Sequence, residues 1–271
     1  MRCALLLKSA LIVLSLAAPL AASAAAGKCE RLIATGNADN PPFLWRDPQN
    51  PKRLMGANAD LLKKITDSLD LKLEVLYAGN AGKAFEEVRS GRMDLLLDTD
   101  LSLQTLEHMD VVHPPITSLQ LVAWVRNEPG FLYASREDLH GRPGVHGTMT
   151  KFVGDFEQYA KENLHLRSTP GLAEAVQQLL AGKADYVLHE RYNAVARMSA
   201  LGLLDAVQRL EPPVSERGMH FAVAHDSACN SPWLRGQLAV KMTELRAAGV
   251  EKQLLAENLE RWKQQSIKPK P

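Results

Sequence analysis

An α/β fold in two lobes is predicted by three observations: short apolar strand segments alternate with amphipathic helical stretches, a helix–glycine–strand pattern recurs in both halves, and two long apolar segments lie between them. Arg31 to Thr35 reads as a strand, and Gly36 to Pro42 as a polar loop that ends in proline. Leu61, Leu62, Ile65 and Leu69 fall on one helical face of the stretch from Asn58, and Leu71 to Tyr77 then alternates as a strand, completing a β-α-β unit. Ala81 to Ser90 predicts a helix closed by Gly91, and Met93 to Leu97 is a nearly continuous apolar run of the buried-strand type. The second half repeats this order, since Ser90-Gly91-Arg92-Met93-Asp94-Leu95-Leu96-Leu97 is echoed by Ala181-Gly182-Lys183-Ala184-Asp185-Tyr186-Val187-Leu188.

Pro143 to Thr150 predicts a strand running into a Gly-Thr turn and a helix start, and Leu172 to Leu180 has the apolar spacing of a helix. Leu119 to Val125 and Met219 to Ala224 are the two segments expected to cross between lobes. Helices over 234–248 and 250–263 would return to the first lobe. The expected organisation is a signal segment 1–24, a first lobe 25–121 resumed at 219–263, a second lobe 122–218 and an unstructured tail 264–271, where Lys268-Pro269-Lys270-Pro271 has no apolar content.

Composition narrows the function classes. Across 271 residues, 32 basic against 31 acidic side chains leave no charge excess for nucleic acid. Arg2 and Lys8 precede an apolar run from Leu11 to Ala22, and Ala22-Ser23-Ala24 supplies small residues for cleavage, so a removable secretory signal is expected; the run is short for a membrane span and is broken by Ser15 and Pro19. Cleavage removes Cys3 and leaves Cys29 and Cys229, which in an oxidising compartment form either one disulfide or two buried thiols. There is no CxxC pair, Gly-x-Ser-x-Gly elbow, HExxH, Walker loop or GxGxxG after a strand, and no cofactor or metal is expected.

Several segments taken in order resemble the bacterial extracellular solute-binding proteins of family 3, the periplasmic amino-acid-binding-like receptors of ABC transporters. They are Asn40-Pro41-Pro42-Phe43, Met55-Gly56-Ala57-Asn58-Ala59-Asp60-Leu61, Gly91-Arg92-Met93-Asp94, Thr105-Leu106-Glu107-His108, Asp138-Leu139-His140-Gly141-Arg142, Gly147-Thr148 and Gly182-Lys183-Ala184-Asp185. The resemblance covers essentially the whole chain after the signal. It implies the type II periplasmic binding fold, in which two lobes joined by two hinge strands close on a solute like a Venus flytrap.

Carried over position by position, the resemblance gives a candidate site that departs from the family. Asn37 and Asn40 occupy the loop after the first strand, and Phe43 or Trp45 is the nearest replacement for an aromatic wall missing near Ala81, with core packing the alternative for Phe43. Asp98, Thr99 and Asp100 stand where relatives have a hydroxyl-rich run; two carboxylates there would favour a cation, a polyhydroxylated solute or a metal if they face the cleft, or else end the strand in solvent. Thr105 begins the Thr-x-x-Arg motif whose arginine forks the ligand carboxylate in relatives, but His108 replaces that arginine, either in the pocket or as a surface histidine. Thr148, Met149 and Thr150 fall in the turn that presents hydroxyl and N–H groups to the carboxylate, unless the threonines merely cap a helix. Glu190 lies at or beside the aspartate that pairs with the ligand amino group, a salt bridge to Arg191 or Arg197 being the alternative.

The expected function is capture of a small polar solute, amino-acid-like or amine-containing, by a monomeric non-enzymatic receptor that serves an ABC permease or a membrane sensor. Two other functions fit the same fold: a periplasmic dehydratase-like lyase using His108, Glu190 or the two aspartates, and a receptor that has lost its ligand and acts through a protein partner.

Overall fold

The computed structural model describes residues 29–127 and 131–267. The chain opens with β1 (Arg31–Thr35), a small antiparallel sheet of β2 (Asp39–Asn40), β3 (Leu44–Arg46) and β4 (Leu54–Met55), then α1 (Ala57–Asp67), β5 (Lys72–Val75), α2 (Ala81–Arg89), β6 (Leu95–Thr99), the single turn α3 (Leu103–Leu106) and β7 (Met109–Val111). A long strand β8 (Thr117–Arg126) leads to β9 (Pro143–Gly147), α4 (Asp155–Asn163), β10 (His165–Thr169), α5 (Leu172–Leu180), β11 (Tyr186–Glu190), α6 (Arg191–Ala200) and β12 (Val207–Arg209). The return strand β13 (Ser215–Ala224) precedes α7 (Pro232–Ala247) and α8 (Val250–Ile267).

Each lobe is built around three parallel strands. β1 lies between β5 and β6 in one lobe, and β9 between β10 and β11 in the other. β8 runs antiparallel to β11, β13 antiparallel to β6, and the two run antiparallel to each other, giving the order β10-β9-β11-β8-β13-β6-β1-β5. β13 pairs with β8 through Ser215–Met219 and with β6 from His220 onward, with a register shift between His220 and Ala222. One strand thus serves both half-sheets, the arrangement of a hinge.

The apolar interior divides with the sheet. One cluster draws on Leu32 through Leu119 and on Met219 through Leu255, whereas two others draw only on residues between Leu121 and Val214. On α1 the buried Leu61, Leu62 and Ile65 face the first cluster, each contributing roughly 2 kcal/mol by leaving water. In the second lobe Gly144 stands opposite Tyr186, where an added Cβ would lie 2.3 Å from the ring, so the fully buried tyrosine needs glycine beside it. A disulfide joins Cys29, before β1, to Cys229, before α7, and so resolves the choice left open between a bridge and free thiols.

Four details correct the sequence expectations. The loop from Gly36 contains the short strand β2, because Asp39 and Asn40 pair with Trp45 and Leu44. The helix expected directly after Gly147 begins only at Asp155, after Gly154 at φ 62, so neither Thr148 nor Thr150 caps it. The unstructured tail expected from 264 starts too early, since α8 continues through Ile267 and Ser266 bonds Trp262 within it. No apolar spacing predicts a helix after Glu190, yet α6 forms there. The signal segment 1–24 and Lys268 to Pro271 lie outside the described residues; among those described, no helix is long and apolar enough to cross a membrane.

Candidate functional site

The C-terminal ends of the two parallel trios come together, since Asn193 after β11 donates to Pro41 O after β1 and Arg217 of β13 reaches Asp100 after β6; the seam between such strand ends, called the crevice below, is the usual binding place of open α/β sheets. In the first lobe β6 ends in Asp98-Thr99, beside the loop that follows β1. Both Asp98 carboxylate oxygens accept the backbone N–H of Asn37, at 3.1 and 3.2 Å, and Asn40 Nδ2 donates to one of them at 3.4 Å. Burial pushes the Asp98 carboxyl above its usual range, against the N–H of Asn37, the amide of Asn40 and the positive charges of Arg217 and Lys151. Both Asp98 oxygens are thus engaged by the loop after β1.

Thr99 and Thr105 are buried, and their hydroxyls share a network with Ser102 in which Thr99 Oγ1 and Thr105 Oγ1 lie 3.1 Å apart. This network holds α3 against the end of β6 and leaves neither threonine open to the crevice. His108 rests edge-on against Phe85 of α2, with ring centroids 6.3 Å apart, and its carbonyl accepts the N–H of His225. It thus stands on the α2 side of the lobe. Phe43 and Trp45 are 1% and 3% exposed, so both belong to the core and neither forms a ligand wall. Trp45 instead donates to Gln265 and packs on Trp262.

In the second lobe Thr148 N–H closes on the carbonyl of Thr169 at 2.8 Å, and Thr150 Oγ1 lies 3.4 Å from His189 Nδ1. Met149 is 79% exposed. Glu190 ends β11 and caps α6, accepting the N–H of Tyr192 at 3.0 Å and of Asn193 at 2.7 Å. Burial pushes its carboxyl up to about 7, opposed by those two N–H groups and by the charges of Arg217 and Arg191. The alternative of a salt bridge to Arg191 or Arg197 is not what the side chains form, because Arg191 donates to Gln120 and Arg197 to Asp39 and Asn193.

Four residues that sequence reasoning did not single out stand beside these: Arg217, His189, Tyr192 and Asn193. Arg217, on the hinge strand β13, reaches Asp100 Oδ2 at 3.5 Å. Burial pulls His189 down to about 4, so the ring is neutral, and its Nε2 lies 2.8 Å from Asn193 Oδ1. Asn193 Nδ2 crosses the crevice to Pro41 O at 3.1 Å and Asn40 Oδ1 at 3.4 Å, while Arg197 reaches Asp39 at 2.5 Å. The Tyr192 ring meets the edge of Phe43. His189 was within reach of the sequence, since extending the internal echo by one residue aligns it with Asp98.

The site therefore offers carboxylates from both lobes, a guanidinium from the hinge and a neutral histidine. Among the described residues no cluster of His, Cys, Asp and Glu is arranged to hold a metal ion.

The sequence matches no family model and no curated protein. Solved structures do match. An amino acid ABC transporter substrate-binding protein, AbpA from Streptococcus pneumoniae, bound to L-arginine, is 19% identical over 86% of this chain and 96% of its own, with a TM-score of 0.62. The GluR0 ligand-binding core in complex with L-glutamate is 19% identical over 86% and 97%, with a TM-score of 0.64. A histidine kinase sensor domain similar to periplasmic binding proteins is 21% identical over 85% and 96%, with a TM-score of 0.62. Such identities speak to architecture alone, and the architecture is the same: this chain has the two-lobed fold of the amino acid substrate-binding proteins.

Proposed function

We propose that the protein is a periplasmic receptor that captures a small polar solute with a cationic group between its lobes and presents the closed form to an ABC permease or a membrane sensor. The observation that carries this reading is that Asp100 and Asp98 of one lobe and Glu190 of the other all lie within the influence of one hinge cation, Arg217, which reaches Asp100 at 3.5 Å and acts on the other two by its charge. Carboxylates on both walls attract an ammonium or guanidinium group, and a ligand that neutralises them draws the walls together. The contacts of Asn193 with Asn40 and Pro41, and of Arg197 with Asp39, are of the kind that hold lobes in a closed arrangement. The Cys29–Cys229 bridge suits an oxidising compartment, in keeping with the signal segment read from the sequence. The solved relatives are binding proteins rather than enzymes, which supports a receptor without turnover.

The test is thermal-shift and calorimetric screening of the mature chain against amino acids, amines, organic acids and sugars. Cationic solutes should raise the melting temperature, and Glu190→Gln should weaken their binding by roughly tenfold or more, the value of one charge-assisted contact. No stabilisation by any of the four classes would sink the proposal. A carboxyl titrating near 7 in a crevice also suits a general acid or base, so a lyase acting on a cyclic carboxylic acid is the second reading. Turnover that disappears in Glu190→Gln would favour it.

A further inference from the structure

Helix α6 is rooted in both lobes. Its buried Ala194 and Met198 pack in a cluster of the second lobe, whereas Tyr192, near its start, packs on the cluster of the first. There the Tyr192 ring meets Phe43 in edge-to-face geometry, with centroids 6.0 Å apart. From the other side α8, whose Leu254 and Leu255 belong to the first cluster, sends Trp262 to donate to the Ala196 carbonyl at 3.0 Å. Moving α6 away from the first lobe would expose apolar area that the lobes now bury against each other.

Polar groups follow the same seam. Asn40 Nδ2 donates to Asp98 Oδ2 within the first lobe, while Asn40 Oδ1 accepts Asn193 Nδ2 of the second at 3.4 Å. Asn193 Nδ2 also donates to Pro41 O at 3.1 Å in a buried bond, and its Oδ1 lies 2.8 Å from His189 Nε2. The strand-end residues Asp98 and His189 are thus joined by an unbroken chain of protein groups, through two asparagines that meet across the seam. Arg197 adds the Asp39 carboxylate and carbonyl, at 2.5 and 2.7 Å, the lengths of strong charge-assisted bonds. Glu190 fixes the start of the helix that carries these groups by accepting the N–H of Tyr192 and Asn193. All of these cross-lobe contacts would have to part together.

We propose that α6 is a latch: its contacts with Asp39, Asn40, Pro41, Phe43 and Trp262 hold the lobes together with no solute between them, so that the resting chain is already closed. The latch goes beyond the receptor reading and stands on the lobes alone. If a solute is captured, it enters when the latch parts transiently and then stabilises a closed form that exists beforehand, rather than creating that form.

Small-angle X-ray scattering tests this on the mature chain, stripped of bound molecules by unfolding and refolding and shown to be bare by native mass spectrometry. The wild-type profile should match the one calculated from the structure. Asn193→Leu with Arg197→Met should shift it to a larger radius of gyration, and exchange of the Phe43 amide should quicken roughly tenfold or more, the loss of one charge-assisted contact. Asp39→Ala with Asn40→Ala, which leaves α6 untouched, should give the same shift and carries the test if the first pair does not unfold cooperatively. A bare wild-type chain more extended than the structure, or folded variants as compact as wild type, would overturn the latch. A chain that binds no solute yet scatters as closed would keep the latch and remove the receptor reading. An extended chain that closes only on a cationic solute would do the reverse.

Discussion

Strands β6 and β11 hold the same place in the two lobes and are reached by the same route. The glycines before them, Gly91 and Gly182, both have φ 70. Asp94 N–H bonds Ile33 O at 2.7 Å, and its counterpart Asp185 N–H bonds Pro143 O at 2.8 Å. Beyond the backbone the likeness stops. A Cβ on Gly91 would lie 2.5 Å from the Asp226 carbonyl, whereas Gly182 faces open space. At the strand ends Asp98 ties down the loop after β1, while the equivalent His189 bridges Thr150 to Asn193. The duplicated frame sets where crevice groups stand, and the side chain at each end sets what they do.

The largest difference between the lobes is covalent. The first is closed by Cys29–Cys229 across 200 residues of chain, and among the described residues the second has no such bond. On the chain-entropy model a loop of that length stabilises by about 5 kcal/mol. Replacing both cysteines by serine should lower stability on that order and raise hydrogen exchange in β1 and the start of α7 before it does so in β9 and α5. Equal loosening of both lobes would show that they unfold as one unit and that the bridge is not specific to the first.

The strand-end residues should differ in the sign of their pH response. The unfolded chain protonates His189 near 6.5, but the folded chain resists until about 4, so stability is lost as pH falls through that window, on the order of 3 kcal/mol. Asp98 has a raised pKa, so its contribution runs the other way and stability is lost as pH rises above the ordinary aspartate range. Glu190 acts as Asp98 does, between 4.5 and about 7. Denaturant unfolding at a series of pH values should show His189→Gln flattening the acid limb and Asp98→Asn flattening the opposite one. An acid limb left intact in His189→Gln would mean that the ring is hydrated and charged in the folded protein.

Legibility in the sequence followed the strength of local periodicity. β1, α1, α5 and both glycine caps were readable because apolar spacing and left-handed backbone leave direct traces in residue type. α6 was not, because Asn193 and Arg197 turn a polar side toward the other lobe and blur the amphipathic pattern. Phe43 and Trp45 were equivocal, since an aromatic residue near a crevice loop serves core or ligand equally well until its exposure is known. Arg217 was invisible for another reason: its place depends on which residue of β8 it faces, and strand register is a long-range property that composition does not encode.

The smallest contrast concerns the aspartates that open the two strands. Asp94 Oδ2 accepts the N–H of Ile33 at 2.7 Å and Oδ1 accepts the Ser227 hydroxyl at 2.5 Å; that hydroxyl in turn accepts the N–H of Cys229. Removing the carboxylate strands these donors, at a cost of about 1–3 kcal/mol. The Asp185 side chain makes no hydrogen bond or ion pair among the described residues, and its replacement should stay within about 0.5 kcal/mol. Asp94→Ala and Asp185→Ala, compared by equilibrium unfolding, should therefore separate although the residues align. If the two lose the same amount, the aspartates act through something the lobes share, such as the turn after Gly91 and Gly182, and the Ser227 network is incidental.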